Sequence, residues 1–258
     1  MRILVHLRVG IGDAVVWMPK FKGLFQFHGE DEIYFVVNSR PDFQLILKIF
    51  LLNPDFAAYF EKYPERVVRI PYHSPVDFGR VRCLVPPCDM FFDFDVYSEG
   101  QWTLPVDMVY PFLGYDMYPV EMIKNRTGDV LIHPYGFYIR DTWTVEKWEE
   151  LADRFVRAGF PVKFLGDYKN SIYPIDDLIG IVRNARLWIG IDTGTRNLAM
   201  VHGVPVIELG TPGKGFPNHD IFHPKQYRMN SKYHEDIDKV TPVQIFNEGM
   251  KWLIAPLV

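Results

Sequence analysis

The sequence predicts an α/β protein with two doubly wound, Rossmann-like domains that face each other across a cleft. Short apolar runs typical of buried parallel strands alternate with amphipathic stretches typical of helices. The alternation stops at a polar segment near residue 125 and then begins again. The 258 residues, 48% of them apolar, are enough for two packed cores. We therefore predict an N-terminal domain over residues 1–124 and a C-terminal domain over residues 129–258.

The N-terminal half contains four candidate strands and three candidate helices. Apolar runs predict the strands at 3–7, 33–37, 67–70 and 90–94. The helices are predicted over about 13–25, 43–52 and 56–63. The proline-rich stretch 71–87 is expected to be a loop.

The C-terminal half repeats this pattern with four strands and four helices. The strands are predicted at 130–133, 162–165, 187–191 and 204–209, and the helices at 144–158, 176–184, 194–202 and 241–254. Gly159 is expected to end the first of these helices, and Thr241 to cap the last one ahead of Pro242. The apolar stripes of these two helices are predicted to be Trp148, Leu151, Ala152, Phe155 and Val156, and Val243, Phe246, Met250, Leu253 and Ile254.

The first predicted strand is followed by the turn Gly10-Ile11-Gly12-Asp13. Glycines at a strand-to-helix turn let the backbone come close to a ligand, so Gly10 and Gly12 are candidate binding positions. Val15 stands where a dinucleotide-binding turn needs a third glycine, which argues against NAD. Asp13 begins the helix and is either an N-cap or a catalytic carboxylate, and spacing alone does not separate the two.

A second strand-to-helix turn, Asp192-Thr193-Gly194, follows the strand at 187–191. Backbone N–H groups at a helix start bind anions, and the side chains of Thr193, Thr195 and Asn197 add donors. A diphosphate therefore fits this turn. The alternative is a helix cap without a ligand.

Gly210 and Thr211 open a glycine-rich turn after the next predicted strand. Such a turn beyond a strand end can wrap a phosphate or a ribose, although an ordinary surface turn has the same composition. The ligand-binding interpretation is favoured because we expect this turn to lie beside the Asp192 turn in the same sheet.

Metal and cofactor patterns are weak in this sequence. Asp93 and Asp95 form an Asp-x-Asp pair that can hold a divalent ion, but the polar end of a strand looks the same. The eight histidines show no metal-ligand spacing, and no nucleophile elbow or P-loop pattern occurs. We predict no metal and no bound cofactor.

Charge and cysteine content limit the partners and the compartment. A net charge of −4 gives no general attraction to nucleic acid, so we expect no nucleic-acid partner. Two cysteines, Cys83 and Cys88, argue against a disulfide-stapled secreted domain. No apolar run approaches the roughly 20 residues that span a bilayer. We expect a cytoplasmic protein, with peripheral contact at the inner face of the membrane as a further expectation.

Together these blocks resemble glycosyltransferase family nine, the lipopolysaccharide heptosyltransferase group. The matching positions are Gly12-Asp13, Asp89 and Asp93, His133-Pro134-Tyr135-Gly136, Trp143 and Trp148, and the block 187–197 with its Asp-Thr-Gly. They are scattered over nearly the whole chain, and the first and last of them are the most specific.

The resemblance implies the GT-B fold and an inverting, metal-independent transfer of a sugar from a nucleoside-diphosphate donor, which acts as a co-substrate. Asp13 would be the general base, and the N-terminal domain, with Gly10, Gly12 and Asp93, would hold a glycan or glycolipid acceptor. The C-terminal domain would hold the donor. Its residues would be His133, Arg140, Asp192, Thr193, Gly194, Thr195, Asn197, Gly210 and Thr211.

The chain departs from the family at two positions. Asn197 stands where the family usually has a histidine. Asp141 stands where it usually has a lysine, and the adjacent Arg140 is the candidate to supply that charge. These departures bear on the sugar, heptose or another, and on its nucleotide carrier. Two alternatives stay open: a nucleotide-sugar epimerase or hydrolase of the same fold, and a non-catalytic module that binds nucleotide sugars.

Overall fold

The computed structural model describes residues 1–10, 12, 14–15, 20–39, 43–71, 84–95, 126–135, 142–166, 178–191, 193–210, 230–234 and 237–254. The chain divides into two compact units, Met1–Met117 and Tyr118–Val258. Each unit holds a parallel sheet with helices, so the predicted α/β class is confirmed. The predicted domain limits at 1–124 and 129–258 stay predictions.

Four parallel strands form the sheet of the N-terminal unit. They are β1 Arg2–Val9, β2 Glu32–Ser39, β3 Val67–Pro71 and β4 Met90–Asp95, and they confirm the four predicted strands. Their order in the sheet is β3-β2-β1-β4. The chain therefore moves outward from β1 on one side and returns on the other, which puts a topological switch point between β1 and β4. Ligands of doubly wound sheets bind beyond the carboxyl ends of the strands at such a point.

The helices described in this unit are α1 Lys20–His28, α2 Phe43–Phe50 and α3 Pro54–Lys62. They pack on one face of the sheet through an aromatic cluster around Phe35, whose ring centroid lies 5.5 Å from that of Phe21 and 5.3 Å from that of Phe56. Burial of these rings supplies much of the driving force for packing. A smaller core of Leu4, Val36 and Val85 lies on the opposite face, since side chains alternate along a strand.

The helix predicted at about 13–25 is only partly within the described residues. Gly12, Ala14 and Val15 are helical, and α1 ends at His28, three residues beyond the expected end. The helix predicted at 56–63 begins earlier, at Pro54, because Asn53 caps it: the side-chain oxygen of Asn53 accepts from the backbone N–H of Phe56 at 2.9 Å.

Five parallel strands form the sheet of the C-terminal unit. They are β5 Val130–His133, β6 Val162–Phe164, β7 Leu187–Ile191, β8 Val206–Gly210 and β9 Asn230–His234. The order β6-β5-β7-β8-β9 places the switch point between β5 and β7. The bounds predicted for β5 and β7 are confirmed. The sequence does not predict β9, because its residues are mostly polar and carry no apolar pattern.

The helices described in this unit are α4 Val145–Arg157, α5 Leu178–Asn184, α6 Gly194–Val201 and α7 Pro242–Ile254. α4 and α7 pack on one face of the sheet in a single apolar core that includes Trp148, Phe155, Ile189 and Ile245. α6 lies on the other face, where Thr195 contacts Trp188.

The predicted apolar stripes of α4 and α7 need correction at three positions. Val156, Val243 and Ile254 are 57%, 41% and 69% exposed. On α7 the buried face is centred on Ile245 and Gly249 instead. The buried face is rotated relative to the predicted stripe because α7 packs closely against Phe155 and Leu187 at Gly249, which has no side chain.

The two predicted helix ends are confirmed. Gly159 ends α4 with a φ of +85°, the left-handed conformation that glycine adopts without strain. At the start of α7, the backbone N–H of Thr241 donates to the side-chain oxygen of Gln244 at 2.8 Å, and the Gln244 N–H donates to the Thr241 hydroxyl at 3.3 Å. This reciprocal pair is a capping box.

Arg126 joins the carboxyl ends of two helices. Its guanidinium donates to the main-chain oxygens of Arg183 in α5 and of His202, which follows α6. The last carbonyls of a helix lack intrahelical partners and carry partial negative charge, so one guanidinium satisfies both ends. Burial, with a smaller contribution from Arg183, lowers the pKa of Arg126 to about 10, which leaves it charged at neutral pH.

β5 and β7 approach closely at one glycine. His133 pairs in register with Gly190, and a Cβ atom added to Gly190 would overlap the main-chain oxygen of His133. Glycine is required here because main-chain atoms of a central strand cannot rotate away.

Gly190→Ala is therefore expected to destabilise the C-terminal unit by roughly 3 kcal/mol, the cost of overfilling a packed interior. Urea unfolding measures the loss. Gly159→Ala is the control, since its methyl group meets nothing within 4 Å and costs only left-handed strain of about 1 kcal/mol. Equal losses in the two variants would contradict the close approach of β5 and β7.

Candidate functional site

The switch point of the C-terminal sheet carries the best-defined polar cluster in the described chain. His133 is the last residue of β5, and Thr193 follows the end of β7 and precedes α6. Because the carboxyl ends of parallel strands meet at one edge, the two residues come together although they are far apart in sequence.

A hydrogen-bond network joins these residues. Nδ1 of His133 lies 2.6 Å from the hydroxyl of Thr195 and 3.0 Å from that of Thr193. The two hydroxyls are 3.2 Å apart. Nε1 of Trp188 donates to the Thr195 hydroxyl at 3.2 Å. His133, Thr195 and Trp188 are buried, and Thr193 is half-buried. We call these four residues the His133 network.

The His133 network is electrically neutral. Burial lowers the pKa of His133 to about 3, outweighing a hydrogen bond to the backbone of Tyr135 that raises it. A neutral imidazole nitrogen offers one lone pair or one proton, so Nδ1 satisfies one hydroxyl at a time. A threonine hydroxyl can make three hydrogen bonds, and the network supplies two neighbours to that of Thr193. Thr193 therefore keeps the capacity to bind a further group.

Thr193 stands at the N-terminus of α6. It is the N-cap residue, with extended backbone at φ −146° and ψ 163°, and no cap bond from its side chain is present among the described residues. The first N–H groups of a helix lack intrahelical partners, and the helix dipole makes this end positive. The start of α6 is therefore suited to an anion, with the Thr193 hydroxyl beside it.

A buried ion pair joins the same helix to β8. Nη1 of Arg196 is 2.6 Å from a carboxylate oxygen of Glu208, and both side chains are buried. Nε and Nη2 of Arg196 donate to the side-chain oxygen of Asn197 at 3.1 and 2.8 Å. The side-chain oxygen of Asn197 is thus directed at Arg196. Glu208 lies two residues before the last residue of β8, opposite Gly190 of β7.

The structure brings several predicted donor residues to one place. His133, Thr193, Gly194, Thr195 and Asn197 all lie at the end of β5 or in the first turn of α6. Their part in binding a ligand stays a prediction.

Of the remaining residues predicted to bind the donor, the structure describes only Gly210. Gly210 ends β8, in the strand next to β7, as expected from the sequence. Arg140, Asp192 and Thr211 lie outside the described residues, and so does Asp141.

Of the site residues predicted in the N-terminal half, the structure describes Gly10, Gly12 and Asp93. Gly10 follows β1 directly, and its main-chain oxygen accepts from the N–H of Ala14 at 3.0 Å, so a helical turn starts here. Gly12 belongs to this turn, and Asp13 lies outside the described residues. Asp93 lies in β4 and pairs in register with His6 of β1.

Sequence reasoning missed Trp188, Arg196 and Glu208. Trp188 lies in an apolar strand, where nothing distinguishes it from an ordinary core residue. Glu208 did carry a signal, since a carboxylate inside the apolar run of β8 needs a buried partner. No spacing in the sequence identifies Arg196 as that partner, because the pair forms between a helix and a neighbouring strand.

The described residues contain no group of three or more His, Cys, Asp or Glu placed to hold a metal ion. Within the same residues no single helix is long and apolar enough to cross a membrane. The bent pair α2 and α3, with 117° between its helices, would qualify on length and composition alone.

No protein-family model matches the chain, and no curated protein sequence matches it. Solved structures do match. Glycosyl transferase family 9 from Veillonella parvula has a TM-score of 0.58 at 13% identity, over 98% of this chain and 97% of that one. The E. coli ADP-heptose LPS heptosyltransferase II has a TM-score of 0.58 at 14% identity, over 98% and 99% of the two chains. This chain has the family 9 glycosyltransferase fold.

A third structure with this fold is TibC, a dodecameric iron-containing glycosyltransferase from enterotoxigenic E. coli. Its TM-score is 0.54 at 14% identity, over 98% of this chain and 76% of that one. The resemblance predicted from the sequence is therefore confirmed at the level of the family 9 fold. At these identities, arguments about individual residues rest on the contacts described above.

The stability of the protein is expected to fall when one partner of the Arg196–Glu208 pair is removed. Glu208→Gln should destabilise the protein by about 3–5 kcal/mol, because it leaves a guanidinium buried without this carboxylate. The double variant Arg196→Met with Glu208→Leu should be about as stable as wild type. Urea unfolding measures both.

The control is the exposed pair of Arg154 and Glu150, which are 36% and 48% exposed. Glu150→Gln should cost less than about 1 kcal/mol. If Glu208→Gln is as mild as this control, the ion pair does not hold α6 to β8.

Proposed function

We propose that the protein is a glycosyltransferase that moves a sugar from a nucleoside-diphosphate donor to a glycan or glycolipid acceptor. The observation that carries this proposal is the neutral, buried His133 network at the N-terminus of α6, at the switch point of the C-terminal sheet. The family 9 fold of the chain supports it.

The C-terminal unit is proposed to bind the donor. The diphosphate would lie at the start of α6, where the N–H groups of Gly194 and Thr195 and the hydroxyl of Thr193 supply donors. Gly210 ends the adjacent strand, and Arg140, Asp192 and Thr211 are proposed to complete the site. A neutral His133 beneath the anion positions the hydroxyls without adding a charge that titrates near neutral pH.

The transfer is proposed to be a single displacement with inversion. An acceptor hydroxyl oxygen attacks the anomeric carbon, the bond from that carbon to the diphosphate breaks, and the hydroxyl proton passes to the carboxylate of Asp13. The nucleoside diphosphate leaves with the electron pair. The helix N-terminus stabilises the charge that develops on it, which is the role a metal has in other transferases, so we propose a metal-independent reaction.

Asn197 is compatible with this scheme. The family usually has a histidine at this position, and here the side-chain oxygen of Asn197 accepts from Arg196, whose charge is balanced by Glu208. The first turn of α6 is therefore anchored from inside the protein. We propose heptose or another sugar as the transferred group. With only two cysteines in the chain, we also propose a cytoplasmic location, peripheral to the membrane when the acceptor is a glycolipid.

Nucleotide binding tests the donor site. At least one of ADP, UDP and GDP is expected to raise the Tm of the protein. Trp188→Phe removes the donor that fixes the Thr195 hydroxyl and should weaken that nucleotide about tenfold, which corresponds to one ordinary hydrogen bond. Isothermal calorimetry measures the change.

Trp143→Phe is the matched control. Trp143 is equally buried and its Nε1 donates to the main-chain oxygen of Ile237 at 2.9 Å. This variant should lose stability without losing nucleotide affinity. Absence of binding to any of the three nucleotides, or equal weakening by both variants, would contradict the proposed site.

Asp13→Asn should reduce transfer by a factor of roughly 10²–10⁴, the usual contribution of a general base, while nucleotide binding is kept. Sugar transfer from the donor identified by binding measures this. Asp89→Asn is the control, since the Asp89 carboxylate accepts from the backbone N–H of Arg2. An unchanged rate in Asp13→Asn removes this residue from the mechanism, and turnover of donor without acceptor would favour an epimerase or hydrolase.

A further inference from the structure

Asn38 is a buried polar residue near the end of a central strand. It is the seventh of eight residues in β2 and has no exposed surface. Among the described residues, neither its side-chain oxygen nor its side-chain nitrogen has a hydrogen-bond partner. A carboxamide can donate two hydrogen bonds and accept two, so this arrangement costs free energy of folding.

The face of the sheet that carries Asn38 changes from apolar to polar toward the carboxyl edge. At its base, Leu4 of β1 and Val36 of β2 share a small core. Two residues further along each strand come His6, which is 4% exposed, and Asn38. Two residues along a strand span about 7 Å. The polar groups therefore lie nearer the edge at which such sheets bind ligands.

Asn38 is also close to the turn that follows β1. It pairs in register with Arg8, and β1 continues for one more residue before Gly10. Neighbouring strands are about 4.8 Å apart. The main chain of Asn38 is thus roughly 10 Å or less from that of Gly10, where the acceptor-side turn begins.

Within the part of the chain that the structure describes, the fold gives no reason for an amide at this position. Val36 and Val37 precede Asn38 in β2 and are fully buried. An apolar side chain of similar volume would fit this environment and would leave no polar group without a partner. Natural proteins keep such costly polar residues chiefly where function needs them.

We infer that Asn38 binds a hydroxyl group of the acceptor sugar. A sugar hydroxyl both donates and accepts, so it can satisfy the oxygen and the nitrogen of a carboxamide in turn. Because Asn38 has no exposed surface, a hydroxyl contacts it only when the groups that cover the amide move aside. This inference rests on the proposed function, and it adds a residue that fixes the orientation of the acceptor.

Asn38→Leu tests the inference in two ways. Without ligand, the variant should be more stable than wild type, with the Tm of the full chain raised by about 4 °C or more, because an unpaired polar group is removed. With ligand, it should lose the stabilisation that sugars give to the wild type. The probes are the methyl glycosides of glucose, galactose, mannose and N-acetylglucosamine, with lactose and maltose, each at millimolar concentration. Asn38→Val repeats both measurements with a smaller side chain.

Asn53→Leu is the matched control, because Asn53 is the other buried asparagine described in this unit and its oxygen has a partner in the N–H of Phe56. This variant should lower the Tm and keep the sugar-induced shift. The inference is overturned if both Asn38 variants lower the Tm, if they keep the sugar-induced shift, or if none of the sugars stabilises the wild type.

Adding nucleotides in the same Tm measurements distinguishes failure of the Asn38 inference from failure of the proposed donor site. A shift with ADP, UDP or GDP that persists in Asn38→Leu, beside a lost sugar shift, supports the inference. Nucleotide shifts without any sugar shift overturn the role of Asn38 and leave the donor site standing. Sugar shifts that depend on Asn38, without any nucleotide shift, leave Asn38 in place and overturn the proposed donor site.

Discussion

The contact between the His133 imidazole and the hydroxyls of Thr193 and Thr195 is the interaction on which the rest of the C-terminal site depends. It joins the end of β5 to the start of α6, elements about sixty residues apart in sequence. It exists only because Gly190 lets the backbone of His133 come close to β7. Burial keeps the imidazole neutral, so the contact orients two hydroxyls without adding a charge of its own.

α6 is held at both of its ends and along its side by different physical means. At its N-terminus, neutral hydrogen bonds leave the helix dipole as the main source of positive potential. At its C-terminus, the guanidinium of Arg126 satisfies the main-chain oxygen of His202. Between them, Arg196 pairs with Glu208 inside the protein. The two buried cations are thus compensated locally, and an anion at the start of α6 would meet backbone donors that need no reorganisation.

Both units contain buried polar groups with and without hydrogen-bond partners among the described residues; in the C-terminal unit Nε of Arg126, Nε of Arg186 and Nε2 of His202 have none. In the C-terminal unit, His133, Arg196 and Glu208 all have partners within hydrogen-bond distance. In the N-terminal unit, Asn38 lies fully buried in a central strand with neither amide atom paired among the described residues. Satisfied networks rigidify a site, and a buried group without a partner needs an explanation. For Asn38 the explanation that we propose is an acceptor hydroxyl.

The sequence by itself determined the α/β class and most elements, because strand and helix periodicity depend on local spacing. β5 and β7 have the bounds that their apolar runs predict, and Gly159 and Thr241 end and begin helices as their chemistry requires. Its place after a strand also made the 192–197 turn a candidate site, and the resemblance to glycosyltransferase family nine made His133 one. Only the tertiary structure decided which residues meet. Strand order set the neighbours of His133, close packing at Gly249 rotated the buried face of α7, and a helix-to-strand contact paired Arg196 with Glu208. Such contacts join residues distant in the chain, and no local pattern encodes them.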